Sequence, residues 1–145
     1  MNNTTKGILG EHFVLYNLLK NGFKIIDPSR LRQVWDLIGI DLVLEKEDIV
    51  YKIQVKSIID SKRGCINQTV KEKDEMGYIR RTYDFLILTD LKEMWILPYE
   101  FLKRKCPTYF YSKEKLKPFN QNYKLFKMKE EEVIMFLHDN KLANA

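Results

Sequence analysis

The chain has 145 residues, of which 45% are hydrophobic and 31% are charged, and its net charge at pH 7 is +5. This length permits one compact domain and is too short for two of typical size, and the composition excludes a disordered chain. No basic segment followed by an apolar core opens the sequence, and no apolar run approaches the roughly 20 residues that span a bilayer. We therefore expect one soluble, cytoplasmic domain over residues 1–145, without a membrane partner.

Charge and cysteine content give only general indications of a ligand. Lysine and arginine concentrate within residues 52–73, at 80–81 and within 103–127. Such clusters suit a phosphate-rich partner, because each Lys or Arg beside a phosphate releases counterions on binding, but a solvated lysine-rich surface has the same composition. The two cysteines, Cys65 and Cys106, lie far apart with no CxxC spacing, so no zinc site is predicted.

The first predicted element is a helix that starts after a cap at Thr4 or Thr5 and ends at Asn21 and Gly22. Glu11 falls among apolar residues at helical spacing, so we expect it on, or at the edge of, the buried face. Two glycines beside it would let another backbone or a ligand approach closely: Gly7 and Gly10.

A hairpin follows in the middle of the chain. Residues 23–26 form a short strand candidate, residues 29–39 read as loop or turn, and two β-branched runs, 40–45 and 49–57, are separated by a polar turn. Alternation along the second strand places three polar side chains on one face: Lys52, Gln54 and Lys56. Together with Asp41 on the first strand they are unusual in an apolar hairpin, since an unpaired buried charge costs several kcal/mol.

The rest of the chain alternates a polar loop with further strands and helices. Residues 59–77 read as a mobile, DNA-facing loop, 83–90 and 93–98 as strands, and 99–105 and 128–141 as helices. The whole is an α/β fold with a mixed central sheet of about five strands flanked by helices. His12 points about 100° away from Glu11 around the helix, so it is expected at the surface or in packing, and Trp35 and Trp95 are expected as core or interface aromatics.

This order of elements resembles the PD-(D/E)XK nuclease superfamily. GILGEHFVLYNLL is similar to its opening helix, IDLVL and IQVKS to its two motif strands, and YDFLILTD and WILPYEFL to the strands that follow. The resemblance covers about residues 4–104 and leaves 105–145 as a C-terminal extension. It implies a restriction-endonuclease-like core. The chain departs from the motif at Gln54, which stands where the family has an acid, and at Ile40, which stands where it has proline.

The resemblance implies a site for Mg²⁺, with Mn²⁺ as a substitute, since hard carboxylate and carbonyl oxygens suit these ions. In such a site Asp41 is expected to be the main ligand and Glu11 a second, directly or through water, with the Gln54 side chain and the Val55 carbonyl completing the set. Lys56 is expected to orient the attacking water and to offset negative charge. Singly, each of these residues also reads as an ordinary surface or edge residue, and Asp36 reads as part of a turn.

Three functions are compatible with this resemblance. The first is a Mg²⁺-dependent endonuclease that hydrolyses phosphodiester bonds in double-stranded DNA, of the site-specific homing or restriction type. The others are a Holliday-junction resolvase, and a DNA-binding module with a weakened metal site. Cutting both strands requires two sites, which predicts a homodimer or homotetramer. Additional phosphate contacts are expected from four loop residues: Lys62, Arg63, Arg80 and Arg81.

Overall fold

The computed structural model describes residues 1–26, 40–58, 65–67, 83–102, 108–110 and 112–142. Its helices are α1 (Asn3–Lys20), α2 (Tyr99–Leu102) and α3 (Glu130–Asp139), and two 3-10 helices precede α3. Its strands are β1 (Lys24–Ile25), β2 (Leu42–Lys46), β3 (Ile49–Ser57), β4 (Cys65–Asn67), β5 (Phe85–Thr89), β6 (Met94–Pro98) and β7 (Thr108–Phe110). No helix in these ranges is long and apolar enough to cross a membrane.

Five strands form one mixed sheet, in the order β1-β2-β3-β5-β6. The β3–β5 pair is parallel and the other pairs are antiparallel. The predicted α/β fold with a mixed five-stranded sheet is therefore confirmed. β4 and β7 form a separate antiparallel pair that the sequence did not predict. Strands of three residues are too short to show a period, and β4 lies in the segment that was read as loop.

The predicted hairpin is present, and β3 has the bounds that were predicted. Glu47 and Asp48 both have positive φ, 53° and 65°, which is the backbone of a two-residue turn that matches the twist of the flanking strands. β2 begins at Leu42, so Asp41 lies directly before the strand and not within it. This difference matters because Asp41 uses its side chain, and not only its backbone, to bond to β3.

α1 packs on β3 through one line of buried residues: Gly10, Val14 and Leu18. Their spacing of four residues keeps them on one side of the helix. The predicted cap was wrong, because α1 starts at Asn3 and the Asn2 side chain accepts a hydrogen bond of 2.8 Å from the Thr5 N–H. The predicted C-terminal stop is correct, since the helix ends at Lys20 and Gly22 has a φ of 91°.

The segment 112–142 contributes to the same hydrophobic core as the sheet. Its fully or largely buried side chains include Leu116, Phe119, Leu125, Phe126, Val133 and Leu137. The Tyr51 hydroxyl, on β3, donates a buried hydrogen bond of 2.7 Å to the Phe126 carbonyl. Trp95, on β6, is buried as predicted. This part of the chain therefore supports the sheet that carries the polar hairpin.

Candidate active site

Asp41 is held against β3 by two hydrogen bonds. Its backbone N–H donates to the Ile53 carbonyl at 2.9 Å, and its Oδ2 accepts from the Val55 N–H at 2.7 Å. The carboxylate therefore takes the place of a strand partner for Val55 just before the start of β2, at one end of the sheet. This anchor was not predicted, because no local pattern reveals which backbone N–H a carboxylate will meet.

Glu11 reaches Asp41 from α1. The two side chains share a hydrogen bond, and both residues are partly buried. Glu11 follows Gly10, which lies in the buried line of the helix, so Glu11 is at the edge of the packed face as predicted. Residues 30 positions apart in the sequence thus place two carboxyl groups together at one end of the sheet.

The pKa of each carboxyl group is raised above its ordinary value. For Glu11 the largest cause is burial, followed by the negative charge of Asp41, and His12 acts in the opposite direction. For Asp41 burial raises the pKa, while hydrogen bonds from Val55 and Glu11 lower it. The shared hydrogen bond favours the neutral form of Glu11 and the charged form of Asp41. Two carboxyl groups held together in this way favour a bound cation.

Gln54 and Lys56 lie on β3 next to this pair. Ile53 is in register with Leu42, so Gln54 is the neighbour of Asp41 on the adjoining strand. Ser57 faces α1, and alternation therefore turns Gln54 and Lys56 to the opposite face of the sheet. Gln54 is 8% exposed and Lys56 is partly exposed. Among the described residues, no hydrogen bond or ion pair joins either side chain to the two carboxyl groups.

The oxygen atoms of and beside the Glu11 and Asp41 pair are of the type that binds divalent metal ions, but only two of the side chains are carboxylates. Glu11 and Asp41 are in contact, Gln54 carries an amide at the neighbouring position on β3, and the Val55 carbonyl points to the same side of that strand as its N–H. No group of three or more His, Cys, Asp or Glu side chains that could hold a metal ion occurs within the described residues. The donor set therefore fits Mg²⁺ or Mn²⁺, with one negative charge fewer than a three-carboxylate site.

Several residues singled out in the sequence lie elsewhere. Five of them fall outside the described residues: Asp36, Lys62, Arg63, Arg80 and Arg81. His12 is exposed, as expected from its angle on the helix. A cavity of about 430 Å³ lies at the other end of β3, between the start of that strand and the start of α3, and none of the proposed site residues lines it.

Comparison with known proteins supports the predicted family and fold. A family model described as PD-(D/E)XK endonuclease matches residues 1–122, which extends beyond the 4–104 predicted from the motifs. The fold is similar to the solved structure of a bacterial homing endonuclease, with a TM-score of 0.63 and 17% sequence identity. That similarity covers 87% of this chain and 93% of the other. No curated protein matches the sequence.

Proposed function

Since this chain belongs to the PD-(D/E)XK endonuclease family, we propose that it hydrolyses phosphodiester bonds in double-stranded DNA with the help of Mg²⁺. The observation that carries the proposal is the contact between Glu11 and Asp41, anchored on the strand that also bears Gln54 and Lys56. A pair of partly buried acids with raised pKa values is costly to the fold and is typical of a functional site.

The metal would be held by Asp41 and Glu11, with oxygens of Gln54 and Val55 as further ligands. When bound, such an ion stabilises negative charge on the phosphate and lowers the pKa of a bound water. The hydrogen bonds that Asp41 makes with β3 fix its carboxylate before the substrate arrives, which avoids reorganisation during the reaction. Because a bound cation favours the charged form of both carboxyl groups, metal binding would lower their raised pKa values.

Lys56 supplies a mobile positive charge on the strand that anchors Asp41. Its long side chain can turn from the sheet face toward a phosphate at the strand edge, where it orients the attacking water and offsets charge on the phosphoryl oxygens. In the hydrolysis the water oxygen bonds to phosphorus, the bond to one ester oxygen breaks, and the water proton ends on that leaving oxygen.

Within this family we propose a site-specific enzyme of the homing type, acting as a homodimer or homotetramer. The observation that favours homing over restriction is the similarity in fold to a bacterial homing endonuclease. A duplex has two strands and each chain one site, so concerted cutting requires at least two subunits.

Cleavage of a randomised duplex library and of supercoiled plasmid, with Mg²⁺, Mn²⁺ or EDTA, tests the proposal. We expect cleavage with either metal, none in EDTA, and a loss of at least about 100-fold in Asp41→Ala with DNA binding retained. Asp139→Ala, the same change at an exposed position on α3, is the matched control. Binding without cleavage would favour the DNA-binding module, and preferred cutting of a four-way junction over the duplex would favour the resolvase.

A further inference from the structure

A close approach of α1 to the sheet lies beside the candidate site. A Cβ atom added at Gly10 would lie 3.1 Å from the Ser57 Cβ, 3.3 Å from the Ser57 Oγ and 3.4 Å from the Thr89 Cγ2. Ser57 is the last residue of β3, and Thr89, its register partner, is the last residue of β5. Gly10 immediately precedes Glu11, so any change in how α1 sits at this point moves the Glu11 backbone.

We propose that Gly10 is a positioning residue, whose missing side chain lets α1 sit close enough to β3 for Glu11 to reach Asp41. The inference rests on the proposed function of the Glu11 and Asp41 pair. Both halves of that pair are positioned by the same strand: Asp41 is bonded to Ile53 and Val55, and α1 rests on Ser57. The spacing between helix and strand therefore sets the spacing between the two carboxyl groups.

The sheet cannot easily give way to a larger residue at position 10. β3 is paired with β2 over residues 49–53 and with β5 over residues 53–57, so at Ser57 it is held by β5, and the Ile58 N–H donates to the Thr89 carbonyl at 2.8 Å. The Ser57 Cβ has no rotamer freedom, because its position follows directly from the strand backbone. The helix must therefore rise from the sheet by a few tenths of an ångström, and Glu11 rises with it. Small displacements at a catalytic constellation are costly, since a misplacement of about 1 Å can reduce turnover by roughly 100-fold.

α1 offers a matched control within three residues. Nothing lies within 4 Å of a Cβ added at Gly7, which is in the same helix. Gly7→Ala and Gly10→Ala make the same change in helix propensity, and only the second creates a close contact.

Ser57 offers the complementary change. The Ser57 Oγ is buried and has no hydrogen-bond partner in the described part of the chain. Ser57→Gly therefore removes the two atoms that lie nearest to position 10, the Ser57 Cβ and Oγ, without breaking a side-chain hydrogen bond of the described structure. The double variant Gly10→Ala/Ser57→Gly has a Cβ at position 10 and none at position 57. The helix can therefore approach β3 as closely as in the wild type.

The experiment compares wild type with Gly7→Ala, Gly10→Ala, Ser57→Gly and the double variant. Metal-dependent DNA cleavage gives kcat and KM, calorimetry with an uncleavable duplex gives Mn²⁺ affinity, and thermal unfolding reports the folded fraction. For Gly10→Ala we expect kcat to fall about 3-fold to 10-fold, with KM for DNA within about twofold and Mn²⁺ affinity about 3-fold weaker. Gly7→Ala should match wild type in all three, and the double variant should match Ser57→Gly.

The outcomes distinguish a failure of this inference from a failure of the proposed function. If wild type cleaves DNA and Gly10→Ala does so equally well, Gly10 is not a positioning residue and the proposed function stands. A double variant that stays as impaired as Gly10→Ala, although Ser57→Gly is active, also overturns the inference. Should Gly10→Ala be unfolded at the assay temperature, the double variant decides the question. If the wild type neither cleaves DNA nor binds Mn²⁺, both the proposed function and the inference about Gly10 are overturned.

Discussion

Gln54 is the residue at which this site departs most from a three-carboxylate arrangement. It is 8% exposed and follows Ile53, so it lies beside Asp41 on the neighbouring strand. An amide in this position avoids adding a third negative charge to two carboxyl groups whose pKa values are already raised. The consequence is a weaker electrostatic attraction for a divalent cation, so the substrate phosphate would supply the missing negative charge.

This weaker attraction predicts that metal and DNA bind cooperatively. It also predicts that metal binding depends less on bound DNA in Gln54→Glu. We expect Gln54→Glu to raise Mg²⁺ affinity without DNA by about 10-fold, and to lower stability in EDTA because a buried carboxylate is added. Gln54→Ala should weaken metal binding. Calorimetric titrations with and without uncleavable DNA measure these affinities, and Gln121→Glu, at an exposed position, controls for charge alone. Identical metal binding by all variants would mean that Gln54 is not a ligand.

At the scale of elements, the site arises where α1 meets the start of β2. The helix contributes Glu11 and the residue before β2 is Asp41. At neutral pH the contact between these two acids lowers the stability of the folded protein. Both carboxyl groups hold protons more tightly in the folded than in the unfolded chain, since burial raises their pKa values. The stability that these protons contribute is therefore fully present below the ordinary carboxyl pKa, and it is lost as pH rises through the raised folded values.

In the metal-free protein, Glu11→Gln should reduce the stability that is lost as pH rises. The new amide can still donate a hydrogen bond to Asp41 but carries no charge, so we expect Tm in EDTA to rise by about 2 °C at pH 8, with the gain lost near pH 4. The effect is modest because Glu11 is partly exposed and solvent screens its charge. Thermal unfolding across this pH range is the measurement. Glu131→Gln, an exposed change on α3, is the control, and an equal gain there would exclude the Glu11–Asp41 contact as the cause.

At the scale of the whole molecule, the net charge of +5 favours a polyanionic partner. The residues proposed for additional phosphate contacts lie outside the described residues, and their contribution is therefore argued from charge alone. Many basic residues are instead exposed within residues 112–142, which makes a comparison between the two groups informative.

We expect DNA affinity to fall steeply with salt, because bound counterions are released. Replacing Lys62, Arg63, Arg80 and Arg81 together should reduce the slope of log affinity against log salt by about 2–4, at roughly 0.9 per lost phosphate contact. Fluorescence anisotropy between low and moderate salt measures the slope. A matched set of exposed lysines serves as the control: Lys117, Lys124, Lys129 and Lys141. If only this second set changes the slope, the phosphates are contacted by the C-terminal segment.

The proposed double-strand cleavage also predicts the assembly. We expect sedimentation and light scattering to show a dimer or tetramer, at least with DNA bound, because two strands of opposite direction are best cut by sites related by a two-fold axis. A chain that remains monomeric with and without DNA would contradict concerted cutting of both strands.

Local patterns were sufficient for much of this fold. The β-branched alternation of residues 49–57 predicted β3 with its observed ends, and the polar turn before it predicted the hairpin. The parallel β3–β5 pair and the short β4–β7 sheet did not follow from the sequence, because these pairings join residues that are distant in the chain. The Asn2 cap was missed because several successive residues had side chains able to cap the helix.

For the site, the sequence by itself determined which residue types are present: a helical acid, an acid before a strand, and Gln and Lys two positions apart on one face. The tertiary structure alone decided that Glu11 touches Asp41, that Val55 anchors that carboxylate, and that Gly10 rests on Ser57. These contacts are set by how closely a helix can approach a strand 47 residues later in the chain, from Gly10 to Ser57. Periodicity reports the face on which a side chain lies, whereas distance across a core depends on the volumes packed between the elements.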